Sequence, residues 1–177
     1  MSFAVVLYFD PQTEIAVAAI REKLIQRGIH PIPDGMQNQP HLTLGMWNGG
    51  TPPGFPEALE RFAGSLSRTR LLFSSAGVFP TREGVIFLAP VVTPELLDLH
   101  ERFHRAVVPT GLEADRHYLP GFWVPHCTLA VYLADWEMHS AVDIAREAPM
   151  PFEGIIEAVG IVEFPPLKAI GQFPLNP

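Results

Sequence analysis

Residues 40–44 read "PHLTL", and residues 125–129 read "PHCTL". A chain of 177 residues with only seven histidines thus writes Pro-His-x-Thr-Leu twice. Side chains alternate between the faces of a strand, so His41 and Thr43 share one face while Leu42 and Leu44 take the other. The same parity groups His126 with Thr128 and sets Cys127 and Leu129 opposite. The leucine faces read as core. The His/Thr faces then look into whatever lies between the two motifs.

The surroundings of the two copies also repeat. From His41 to the "FP" at Phe79 and Pro80 is the same distance as from His126 to the "FP" at Phe164 and Pro165. Each interval reads as motif strand, helix, strand, "FP" and return strand, the mark of an internal duplication. Ahead of the first copy, "AVVLYF" (4–9) reads as a buried strand. Asp10 then caps a helix opened by Pro11, with Val17, Ile20 and Leu24 on its apolar face. Further helices are expected near 56–67, from Pro94, and after a cap at Asp135. The second motif strand is read over 126–133, and two last strands over about 153–164 and 167–174. The expected fold is α+β, a single domain over 1–177, bilobal and internally duplicated. Two antiparallel-rich sheets should line a central cleft with helices on the outside.

Composition narrows the function. Hydrophobic residues make up 47% and charged residues 18%, the balance of a compact globule rather than a disordered chain. No apolar run approaches the roughly 18 residues a membrane span needs. The N-terminus lacks a basic n-region, and the single cysteine, Cys127, has no internal partner. A cytoplasmic monomer is expected, with no membrane contact. The formal charge of −7 and the lack of any Lys/Arg run argue against wrapping long nucleic acid. A short anionic ligand held by a few neutral donors remains open.

Two His-x-Thr pairs facing one cleft would suit phosphoryl chemistry. A neutral imidazole takes a proton near pH 7 and a protonated one gives it. One of each on opposite sides of a phosphorus centre performs in-line acid–base catalysis. The threonine hydroxyls beside them can donate to the non-bridging oxygens as charge builds. No metal or cofactor is called for, since the motifs offer only Leu, Cys and Thr beside the imidazoles.

The ordered pair of motifs, each opening a strand of a duplicated α+β unit, resembles the 2H phosphoesterase superfamily. That superfamily includes the 2′-5′ RNA ligase-like proteins and the 2′,3′-cyclic nucleotide phosphodiesterases, and the resemblance covers nearly the whole chain. It implies catalytic roles for His41 and His126 and phosphate-holding roles for Thr43 and Thr128. It also implies metal-independent hydrolysis, or reversible ligation, of a cyclic or 2′-5′ phosphodiester on a small nucleotide or short RNA end. A module that binds such an end without turning it over is the alternative.

One departure stands out. Many relatives follow the second motif with a basic residue, where this chain has Val131. Arg116 and Arg82 are candidates for the missing charge, with a solvated surface position the competing reading for each. By parity Trp47 and Tyr132 continue the His/Thr faces, and Phe122 and Trp123 precede His126. These aromatics are candidate substrate contacts that could stack a base. The loops at 30–40 and 109–125 are read as selecting the substrate. Residues 100–104, "HERFH", match a zinc-protease pattern in form. Asp98, Arg102 and Arg105 around it, and the apolar stripe of Leu96 and Phe103 beside His100, make it a packing element instead.

Overall fold

A computed structural model describes residues 1–31, 39–107 and 112–177. Seven strands and four helices form in it, in the order β1 (Ser2–Phe9), α1 (Pro11–Gln26), β2 (His41–Asn48), α2 (Phe55–Ala63), β3 (Thr69–Phe79), β4 (Val85–Pro90), α3 (Pro94–Val107), β5 (Cys127–Ala130), α4 (Asp135–Arg146), β6 (Phe152–Phe164) and β7 (Lys168–Pro174). The α+β class is as expected. The two expected sheets, however, are hydrogen-bonded into one antiparallel sheet of order β2-β1-β6-β3-β4-β5, with β7 added beside β6. The 13-residue β6 makes the join, because it pairs with β1 along one stretch and with β3 along another.

This order puts the two motif strands at opposite ends of the sheet. Even so, β2 and β5 pack against each other. A twisted sheet brings its ends round in this way, and here the ends carry the chemistry. The helices cover one face. Leu42, Leu44, Cys127 and Leu129 are at most 1% exposed and join Val17, Ile20, Leu96, Phe103 and Ile144 in one core. The other face carries a smaller cluster of Ala4, Val6, Tyr8 and Ala158, with Met46 and Phe164 packed on it. The leucine parity read from the motifs therefore holds.

Local signals account for the element ends. The Asp10 carboxylate accepts from the Thr13 amide at 3.2 Å, and Pro11 opens α1 as expected. Helix α4 differs by one residue. Ala134 is its N-cap and Asp135 its first residue, because the Glu137 carboxylate reaches back to the Ala134 amide at 2.8 Å. Strand β5 is shorter than the 126–133 expected and ends at Ala130. The chain then turns at Tyr132, whose φ is +63°, and the Tyr132 and Leu133 amides bond to the carbonyls of Glu83 and Gly84. No helix among the described residues is long and apolar enough to cross a membrane.

Candidate active site

Both motifs contain the same irregularity. In the β1–β2 pairing Val5 faces Gly45 and Val6 faces Thr43, so Leu44 is an extra, bulged residue. In the β4–β5 pairing Ile86 faces Ala130 and Phe87 faces Thr128, so Leu129 is bulged in the same way. A bulge adds a residue and reverses the alternation beyond it. Parity therefore holds through each His-x-Thr-Leu and fails beyond it.

That reversal corrects one sequence expectation. Trp47 does not continue the His/Thr face. It is 3% exposed on the helix side, stacked on Phe3 at 5.0 Å and edge-on to Phe55 and Phe103. Met46 takes the cleft side instead. Gly45 makes the turn-over feasible, since a Cβ there would lie 2.5 Å from the Trp47 ring.

The two histidines are held alike. His41 Nδ1 lies 2.8 Å from the Gln39 carbonyl, and His126 Nδ1 lies 2.7 Å from the Val124 carbonyl. A carbonyl only accepts, so each Nδ1 carries the proton and each Nε2 is the atom left to exchange one. Gln39 is itself held, its amide donating to Glu14 of α1 at 2.7 Å. Around the rings the settings differ. His126 sits between Phe79 and Phe87, with ring centres 4.8 and 5.3 Å away. His41 meets the edge of Tyr8 at 6.3 Å.

Burial lowers the proton affinity of both imidazoles below the usual 6.5. For His41 the nearby charges of Arg21 and His126 push the same way, and the bond to Gln39 opposes them. The two motif rings thus lie within electrostatic reach of each other. At neutral pH both rest as free bases, and an arriving phosphate anion favours the imidazolium that an acid–base pair requires.

A cleft of about 570 Å³ opens beside β5. His126, Thr128 and Tyr132 line it, whereas His41 and Thr43 are half-buried on the facing strand and do not. Phe122 and Tyr132, 62% and 64% exposed, offer flat apolar surface at its mouth. Glu83 and Asp115 add carboxylates to its wall, and His117 Nδ1 lies 2.8 Å from Asp115.

Three other candidates fall elsewhere. Trp123 is 8% exposed and lines no part of this cleft, whereas its neighbour Phe122 does. Its indole N–H is committed to the Thr43 carbonyl at 2.8 Å, and its ring stacks on His100 at 4.0 Å. Arg116 is exposed in a short 3-10 turn over 116–118, outside the cleft lining that its neighbours Asp115 and His117 share. Arg82 is exposed in the β3–β4 turn and also lines no part of it. Most of the 30–40 loop and the start of the 109–125 loop lie outside the described residues.

The "HERFH" histidines are structural. His100 is 1% exposed, and its Nε2 lies 3.2 Å from the Leu44 carbonyl and 3.1 Å from His104 Nε2. Burial and the His104 neighbour lower it to about 4. Among the described residues no group of three His, Cys, Asp or Glu could hold a metal ion.

Sequence reading missed one residue next to the second motif. Arg21 of α1 is 6% exposed, and its guanidinium donates to the Thr128 carbonyl at 2.6 Å. The signal was present, because Arg21 falls four residues after Val17 and three before Leu24, on the apolar face of α1.

Residues 49–164 match the 2′-5′ RNA ligase superfamily. The chain belongs to that superfamily. The matched span contains the second motif, and the first lies just ahead of it. The wider 2H phosphoesterase fold extends over the whole chain. A Thermus thermophilus protein, TT0787, is similar over 99% of this chain and 98% of its own, with a TM-score of 0.67 and 19% identity. E. coli LigT, solved in complex with 3′-AMP, has a TM-score of 0.62 at 18% identity over the same shares. Usb1 of Kluyveromyces marxianus has 0.53 at 12%, again over 99% and 98%. At these identities the likeness is one of fold. No curated protein is matched in sequence.

Proposed function

We propose that this superfamily member is a phosphodiesterase that opens a 2′,3′-cyclic phosphate, or cleaves a 2′-5′ phosphodiester, on a nucleotide or short RNA end. The observation that carries the reading is the matched tethering of His41 and His126. Each ring gives its Nδ1 proton to the carbonyl two residues earlier, which leaves two Nε2 atoms on strands that face each other. One Nε2 takes a proton from the attacking water as its oxygen bonds to phosphorus. The other protonates the ribose oxygen as the P–O bond breaks. Thr43 and Thr128 donate to the non-bridging oxygens, where charge grows. These steps require no metal.

The cleft supports a small substrate. Phe122 and Tyr132 suit a base, while Glu83 and Asp115 repel a run of phosphates. That E. coli LigT has been solved with 3′-AMP, with ATP and with NADP+ supports a nucleotide as the ligand class. The same reading takes the chain as one domain of two pseudo-symmetric halves, supported by a sheet with a motif at each end.

The test is incubation with 2′,3′-cyclic AMP and with a 2′-5′ dinucleotide in EDTA. The cyclic substrate should yield a 2′-phosphate. Binding without product would establish the non-catalytic module instead.

A further inference from the structure

Tyr8 of β1 lies directly across from His41 of β2, and residues paired in this way show their side chains on one face of the sheet. The two rings meet edge to face, with 77° between their planes. Tyr8 is 7% exposed and belongs to the small cluster on the open face with Ala4, Val6 and Ala158. It is the polar member of that cluster. Its hydroxyl has no hydrogen-bond partner among the described residues, yet it is not sealed from solvent. Met46, packed on the same cluster, continues that face to the wall of the cleft.

Packing does not account for the hydroxyl. The Tyr8 ring lies against β6, where a Cβ at Gly160 would run into it. The other half of the molecule repeats the device with a phenylalanine. Phe87 lies over Gly77, where a Cβ would come within 2.6 Å of the ring, and Phe87 in turn packs on His126. Each motif imidazole thus meets an aromatic seated over a glycine, and a phenyl ring is enough for that. The hydroxyl adds nothing to the packing and needs a partner, since a buried polar group left without one is destabilising.

We propose that the Tyr8 hydroxyl is a further substrate-contacting group, a neutral donor to a non-bridging phosphate oxygen on the His41 side. The proposal rests on the phosphodiesterase reading. No lysine or arginine is among the described residues that line the cleft, which leaves room for a neutral donor where Val131 replaces a basic residue. Burial, and then the charge of Glu14, raise the Tyr8 phenol above its usual 10, so it keeps its proton to donate throughout the range in which histidines titrate. The first motif then has two hydroxyl donors, Thr43 and Tyr8, where phenylalanines flank the second.

The experiment compares wild type with Y8F, which deletes the hydroxyl and keeps the ring over Gly160 and against His41. Turnover of 2′,3′-cyclic AMP is measured, and NMR follows the His41 titration and the binding of inorganic phosphate. In Y8F kcat should fall by roughly ten- to a hundredfold, the loss expected for one donor to a charged oxygen. Phosphate should bind several-fold more weakly, while the His41 titration and the unfolding temperature stay at their wild-type values. An unchanged kcat overturns the proposal. A His41 titration that moves with the substitution also overturns it, because the hydroxyl would then act on the imidazole instead of the substrate. So does a clear loss of stability, which would make the hydroxyl a support of the fold. A wild-type protein without turnover would defeat the phosphodiesterase reading and leave phosphate to decide on Tyr8: weaker binding in Y8F upholds the contact, and equal binding overturns it.

Discussion

The two motif strands carry the same His-x-Thr pair and the same bulge, and the protein supports them by different means. Strand β2 is held from outside by neutral groups. The Trp123 indole takes the Thr43 carbonyl, His100 the Leu44 carbonyl and the Asp115 amide the Met46 carbonyl. Strand β5 is held by a buried cation at Thr128 and by the Pro31 carbonyl, which accepts from Val131. His41 is half-buried against Tyr8, and His126 lines the cleft between two phenylalanines. A near-symmetric pair of motifs thus gives two imidazoles of unequal surroundings. An acid–base pair benefits from such inequality, because the two groups must hold different protonation states at one pH.

The comparison can be broken most directly at the rings. His41→Ala and His126→Ala should each cost about 10³-fold or more in turnover of a cyclic phosphate, with circular dichroism unchanged. Full activity in both would remove the shared role.

The next largest effect is on stability in acid. His100 supports β2 and is lowered to about 4 from 6.5. The unfolded chain therefore binds its proton first as pH falls, and stability declines between about 6.5 and 4. The loss amounts to at most about 3 kcal/mol, and His41 and His126, lowered in the same direction, add to it. Denaturant midpoints against pH should show the slope, and His100→Gln should flatten it. The Arg21 hold on β5 carries its proton throughout that range, so acid loosens one motif's support and spares the other's.

A third test uses the bulges. Gly45→Ala sets a Cβ against the Trp47 ring and should cost about 2 kcal/mol in thermal or denaturant unfolding. Ala130, at the matching place in β5, already carries a Cβ and is fully buried. Ala130→Gly should cost only about 1 kcal/mol. Equal costs would show that the two bulges are packed alike.

The smallest effect should be at Trp123. Trp123→Phe keeps a ring to stack on His100 and removes the N–H from the Thr43 carbonyl, for about 1 kcal/mol of stability. A loss several times larger would mean that the indole carries more of β2 than one hydrogen bond.

Much of this was legible in the chain itself. The alternation around His41 and Thr43, the Asp10–Pro11 helix start and the repeat of motif, helix and strands all rest on neighbours close in sequence. Such local patterns need no tertiary information. Trp47 could not be placed that way. One extra residue at Leu44 reverses every side chain beyond it, and a bulge is defined by what the partner strand β1 does opposite.

The sequence alone determined that two His-x-Thr pairs exist, that each shows one face, and that their leucines face the core, because the two-residue period of a strand enforces it. Only the tertiary structure decided which aromatic reaches the cleft, which donor holds each end strand, and that a cation from α1 lies behind the second motif. Those outcomes depend on which unpaired carbonyls the sheet leaves at its two ends and on which distant side chains are near enough to bond them.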